Sequence, residues 1–437
     1  MDRGLRRFYE AAHSTKYRVF FAFAVVALCC FFYLVLTQEN QGDDTIYYMQ
    51  AHELRLPAFW AEHSRLVIDT AQYVFMHLPL VVWQLCNAAV YGLLAFLVCN
   101  LLWGLRGRPC SAAERILVCA GVFYLGIIDC TVGVITTQCN YTWPLCAALL
   151  ALLPLQHAYF GPAACAWSKP MPILALLAIP YAANQHLTAA VLCGFLLVGA
   201  VLLARRRDRA AIYCALQLLL GLACAGWLLY RSLWRIDTFA EQDMYFPGYY
   251  ALPLPQKLEY GLSSTAFFLL HERIAPSSVL MLLFAAWLFY CTLVRVRKWL
   301  PRCAAAVPLG MQLVFCSMWY LPSRPGFGML LRGTPWSRVF GYVYRPEPWL
   351  DLVLLLSLAC VCFGICACLG SFRRALPCLL ILFAGFGARL LMCLTPNAYA
   401  SGLRTFQCFF AALLVCAFVI APQRKKAKKE KEPSHAT

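Results

Sequence analysis

Two adjacent carboxylates, Asp43 and Asp44, follow an apolar run from Tyr17 to Leu36 and sit in the stretch Gln41-Gly42-Asp43-Asp44-Thr45-Ile46-Tyr47-Tyr48. The run is about 20 residues, enough to cross roughly 30 Å of hydrocarbon, so the acids emerge at a membrane surface at the foot of a helix. Desolvating a carboxylate is costly, and neighbouring carboxylates repel, which lifts one of them toward the working range of a base. An outward Asp can take the proton of an acceptor hydroxyl. The spacing predicts two different jobs: one member faces a cleft as the base, and the other orients it, binds a divalent cation or caps the first surface helix. The competing reading is a solvated loop that stops the helix, with Gly42 as punctuation.

The partners for such a base are arginines in later outer segments. Arg404, at the mouth of the last apolar run, is the strongest phosphate ligand, because a guanidinium fork can hold a departing phosphate and neutralise its charge. Arg389 lies inside an apolar run, where an arginine implies function or a buried partner. Arg65, Arg235 and His186 join the substrate-binding candidates, with Asn140, Tyr141 and Trp143 of the stretch Asn140-Tyr141-Thr142-Trp143-Pro144. Each has a plainer alternative. Arg65 and Arg404 could anchor at headgroups, Asn140, Tyr141 and Trp143 could form part of an interfacial aromatic belt, and His186 could be a loop residue. No dedicated metal site is expected.

These residues must be positioned by membrane helices. The 437 residues are 62% hydrophobic and 13% charged, too little charge to cover a soluble protein of this size. Leu36-Thr37-Gln38-Glu39 offers no small-x-small cleavage site, so the first run is read as a span rather than a leader. Repeated apolar runs predict an all-α polytopic transmembrane bundle of about 12 helices. The second span runs from about Leu78 to Trp103, the seventh from Ile212 to Tyr230 and the eighth from about Val279 to Leu293. Residues 1–421 form one transmembrane domain and 422–437 a basic disordered tail. The net charge of +17 comes from short basic clusters between apolar runs, such as Arg205-Arg206-Arg207, and not from a nucleic-acid face. Placing those clusters in the cytoplasm puts both termini inside and most acids outside.

In the first outer loop, Val67, Ala71, Val74, Phe75 and Leu78 recur at helical spacing, with Arg65, Asp69 and Gln72 on the opposite side. That pattern predicts an amphipathic helix lying on the membrane. Asp129 to Thr142 is expected as an outer loop, Arg231 to Arg273 as a second large outer segment, Leu321 to Trp349 as a third outer loop, and Asn184-Gln185-His186 as the tip of a helical hairpin. The 24 cysteines lie mostly in apolar runs and lack zinc or redox spacing.

The acidic pair past the first span, the long first outer loop and the outer arginines resemble the GT-C class of membrane glycosyltransferases. More narrowly, the order of Gly42-Asp43-Asp44, Trp60 to Arg65, Asn140 to Pro144, Phe246-Pro247-Gly248-Tyr249-Tyr250 and Pro396 to Arg404 resembles a family of bacterial multi-pass membrane proteins. The resemblance implies a polyprenyl-phosphate-linked sugar as donor, a glycan or lipid acceptor, and the bacterial cytoplasmic (inner) membrane as location. It implies that Asp43 or Asp44 is the base without choosing between them. The acidic residue often found in that family at the hairpin tip is absent, and the tip reads Asn184-Gln185-His186. A multi-pass transporter or lipid-linked glycan flippase is the alternative, although plain apolar spans and polar outer loops suit a transferase better than broken, repeat-built transporter helices.

Overall fold

The computed structural model describes residues 43–128, 134–161, 170–233, 244–271, 276–318 and 348–422. Among these every regular element is helical. Three short helices come first: α1 (Asp43–Glu53), α2 (Leu56–Glu62) and α3 (Leu66–His77). The bundle follows as α4 (Leu80–Arg106), α5 (Ala112–Ile127), α6 (Ile135–Phe160), α7 (Met171–Ala182), α8 (His186–Arg205) and α9 (Ala210–Leu233). It continues with α10 (Leu254–Ala266), α11 (Pro276–Arg295), α12 (Trp299–Met318), α13 (Pro348–Leu369), α14 (Phe372–Leu390) and α15 (Gln407–Ile420).

Eight stretches of described helix are long and apolar enough to cross a membrane, which makes this a multi-pass membrane protein. They lie on α4, α6, α8, α9, α11, α13, α14 and α15. The expected first span, Tyr17 to Leu36, lies outside the described residues, as do residues 319–347 and the basic tail after residue 422. α5, α7 and α12 are further bundle helices outside those eight, and α7 is apolar but only 12 residues long.

Local chemistry sets the helix ends. α4 stops at Gly107, whose φ of 66° is the left-handed conformation that glycine adopts without a Cβ clash. α5 starts on a capping box in which Ser111 and Glu114 satisfy each other's backbone N–H. α14 starts on Ser371, whose hydroxyl accepts from Arg374 N. The main core joins α4 and α5 to α10, α11 and α13–α15, and a second core lies among α6–α9. A third, small core of Ala51, Phe59, Ile68, Met76, Trp83, Ile135 and Cys139 seats α1–α3 on α4 and the start of α6.

Two expectations are corrected by this packing. α3 covers the stretch read as an amphipathic surface helix, but its buried face is Ile68, Asp69, Gln72 and Met76, while Val74 and Leu78 are exposed. The polar side that spacing turns toward water is packed against protein, because its partners come from elsewhere in the chain. Asn184 Oδ1 accepts from Val67 N and Ile68 N at 3.0 and 3.1 Å, and Gln72 Nε2 donates to Thr136 O at 3.2 Å. The expected outer loop 129–142 is already helical from Ile135, with a π turn at Gln138–Thr142 whose residues are all buried. The large segment after α9 holds α10, which ends in another π turn, Phe267–His271. Cys139, in the π turn, is a buried free thiol.

Candidate functional site

The acidic pair divides into two roles. Asp44 is 5% exposed and accepts from Ile135 N at 2.7 Å, from Thr136 N at 2.8 Å and from Thr136 Oγ1 at 2.6 Å. It therefore caps the N-terminus of α6 from 91 positions away, rather than capping a surface helix of its own loop. Burial pushes its carboxyl above the ordinary range, opposed by the hydrogen bonds from Thr136 and Ile135 and assisted by the charge of Asp43. Burying an ion costs several kcal/mol. Hydrogen bonds to a charged acceptor return about 1.5–3 kcal/mol each, so three of them make the cap tenable.

Asp43 points the other way. Its side chain is 51% exposed, and its Oδ2 accepts from Arg404 Nη1 at 2.7 Å. The expected base candidate and the expected phosphate ligand thus meet across 361 positions of sequence. Arg404 is held from behind, because its Nε donates to Ser401 O at 3.1 Å. The α1 helix that carries Asp43 is anchored by Asp44 on α6, and the segment that carries Arg404 runs directly into α15.

Arg389, in the last turn of α14, is wholly buried. Its Nη2 donates to Ser264 Oγ at 3.1 Å and to Ala398 O at 3.2 Å, and its guanidinium lies 4.6 Å from the Phe406 ring centre and 5.8 Å from that of Phe268. Its Nε and Nη1 have no hydrogen-bond partner among the described residues. Tyr141, Tyr260 and Tyr399 lie within electrostatic range of it. Tyr260 in turn donates to Pro396 O at 2.8 Å. The segment between α14 and α15 is therefore tied at one point to Arg389 and at another to the Asp43–Arg404 pair.

The other expected site residues are placed as follows. Asn140 and Tyr141 are buried in the π turn of α6, and Asn140 Oδ1 has no hydrogen-bond partner among the described residues. Trp143 donates to Asn87 Oδ1 at 2.8 Å and meets Phe75 edge-on, so it packs α6 against α4 and α3. Arg65 precedes α3, and its backbone N–H is accepted by Asp69 Oδ2 at 2.6 Å. His186, in the first turn of α8, is close enough to feel the charge of Arg65, and its Nε2 has no hydrogen-bond partner among the described residues. Arg235 lies outside the described residues. The structure thus brings Asp43 into contact with Arg404, leaves Tyr141 and His186 only within electrostatic range of Arg389 and Arg65, and turns Trp143 to packing.

Sequence reasoning missed Thr136, Ser264 and Phe406, which seat Asp44 and Arg389, and Asn184, which seats the start of α3. The only signal for Thr136, Asn184 and Ser264 is polarity inside or beside apolar runs, as in Ser263-Ser264-Thr265, and Phe406 has none. Among the described residues no group of three or more His, Cys, Asp or Glu could hold a metal ion. Both Asp44 oxygens are engaged by α6 and Asp43 Oδ2 by Arg404, so of the three alternatives for the second carboxylate the structure shows a helix cap and no shared bite for a divalent cation. A cavity of about 270 Å³ at the α2–α3 edge is lined by Trp60, His63, Leu66, Trp227 and Arg231. Comparison of the chain with protein-family models, curated proteins and solved structures finds no match.

Proposed function

We propose that this chain is a GT-C-type glycosyltransferase that moves a sugar from a polyprenyl-phosphate carrier to a glycan or lipid acceptor on the outer face of a bacterial cytoplasmic membrane. The observation that supports this best is the ion pair between half-exposed Asp43 and Arg404. An exposed pair contributes about 0–1 kcal/mol to stability, too little to explain an arrangement assembled from both ends of the chain. A carrier phosphate arriving at Arg404 competes with Asp43 for the guanidinium and frees the carboxylate. Asp43 then accepts the acceptor's hydroxyl proton, the acceptor oxygen bonds to the sugar's anomeric carbon, and the bond from that carbon to the carrier phosphate breaks. Arg404 takes up the charge of the leaving phosphate. Asp44 is a positioning residue, and no step passes through a metal.

The test is sugar transfer from a labelled polyprenyl-phosphate donor in membranes, with variants compared at equal protein level. Asp43→Asn keeps the shape and removes the base, and transfer should fall about a hundredfold or more. Arg404→Lys keeps the charge and loses the planar fork, so donor affinity should fall clearly. Wild-type transfer by Asp43→Asn would remove the base from this reading.

The transporter or flippase reading has one specific observation in its favour. Arg389, two of whose nitrogens have no hydrogen-bond partner among the described residues, and the π turn of α6 with its buried Gln138, Asn140 and Thr142, form the kind of polar, interrupted helix interior that substrate pathways use. A wild-type chain that moves lipid-linked sugar between leaflets without transferring it would establish that reading instead.

A further inference from the structure

At the far end of the bundle from Asp43 and Arg404 lies a cavity of about 600 Å³. α4 and α15 both lead to it, and the 27 residues of α4 span about 40 Å at the helical rise. Four arginines line it: Arg106 at the end of α4, Arg295 at the end of α11, and Arg373 and Arg374 in the first turn of α14. None of its lining residues is acidic. Arg295 is already oriented, because its guanidinium donates to Cys368 O and Ala421 O.

Arg106 makes this more than a basic patch. Its side chain is 2% exposed. One nitrogen, Nη2, pairs with Glu114, which also accepts from Arg108. The other, Nη1, is buried and has no hydrogen-bond partner among the described residues. An unmet buried donor on a charged group is a standing destabilisation, and the Arg106 charge, enclosed beside the cavity, adds to the positive field that an anion there would meet. The other walls carry no charge, and they include the apolar side chains Leu105, Val294, Leu369 and Val419, each at the end of its helix. A phosphate set among arginines, with hydrocarbon walls beside it at the end of membrane helices, is the chemistry of an anionic lipid headgroup.

We infer that this cavity is a binding site for the phosphate of an anionic membrane lipid, on the face opposite the Asp43–Arg404 site. It stands independently of the transferase reading. The probes are phosphatidylglycerol, phosphatidylcholine and inorganic phosphate, and the readout is lipid retained on the full chain in detergent, measured by native mass spectrometry. The wild type should retain phosphatidylglycerol over phosphatidylcholine. The exposed pair change Arg373→Gln with Arg374→Gln should lower that retention on the order of tenfold or more, given how much each basic residue contributes near anionic lipid. The charge-matched change Arg205→Gln with Arg209→Gln, on another exposed cluster, should leave it intact. Arg106→Gln should also lower retention, and the Arg373 and Arg374 result decides the matter if that buried variant fails to fold. Equal retention of the two lipids, or equal loss in both pair variants, would overturn the site. Retention unaffected by either pair while inorganic phosphate alone protects the wild type would overturn its assignment to lipid.

Discussion

Asp43 and Asp44 differ by one position and occupy opposite electrostatic situations. Asp43 shares its charge with Arg404 in contact with solvent, whereas Asp44 is enclosed by backbone and hydroxyl donors of α6. Replacing Asp44 by Ala should cost about 0.5–2 kcal/mol, the usual range for a lost helix cap, read as a lower unfolding temperature in detergent. The pH dependence has a definite sign. The folded state raises the Asp44 carboxyl above its ordinary value, so it binds the proton more tightly than the unfolded chain does. The stability of the wild type relative to Asp44→Asn should therefore be greatest in acid and decline as pH rises above about 4 toward the folded-state value. A difference that grows with pH would mean that the hydrogen bonds from Thr136 and Ile135 outweigh burial.

At the scale of elements, the site depends on close helix contacts that a backbone without side chains permits. A Cβ at Gly385 on α14 would lie 2.7 Å from Cys408 O and 2.8 Å from Phe409 Cα on α15, both backbone atoms that cannot swing aside. Gly385→Ala should destabilise the protein by about 1–3 kcal/mol, as overpacking does, and loosen the connection that carries Arg404. Gly387→Ala, where nothing lies within 4 Å, is the control and should be neutral or slightly stabilising. Thermal unfolding of both variants in detergent distinguishes them, and equal behaviour would refute the close contact. Asn184 plays the equivalent part for α3. Asn184→Ala leaves Val67 N and Ile68 N without their acceptor and should cost about 1 kcal/mol by the same measurement.

For the whole molecule, function on one face and lipid contact on the other require that the two ends of α14 lie on opposite sides of the membrane. Ser371, at its start, sits beside the arginine cavity, and Pro396, just past its end, sits beside Tyr260 and Arg389. A reporter active only outside the cytoplasm should work when fused after Asn397 and fail when fused after Ser371. The reverse pattern would place Asp43 in the cytoplasm and end the transferase proposal.

Composition and run length alone settle the solvent of this protein, because 62% hydrophobic residues in repeated long runs have nowhere to be but a bilayer. They also single out Asp43, Asp44, Arg389 and Arg404, since charge beside or within hydrocarbon is costly and needs a cause. Sequence cannot decide which faces of the shorter helices are buried. Asp69 and Gln72 look like a water-facing side by periodicity and are buried because Thr136 and the elements around α3 enclose them. Nor can it distinguish Asp43 from Asp44, which are chemically identical neighbours. That distinction belongs to the tertiary structure, which brings the N-terminus of α6 to one carboxylate and Arg404 to the other. Periodicity describes a helix against a uniform solvent, and contacts made over 91 and 361 positions of chain are not written in any local pattern.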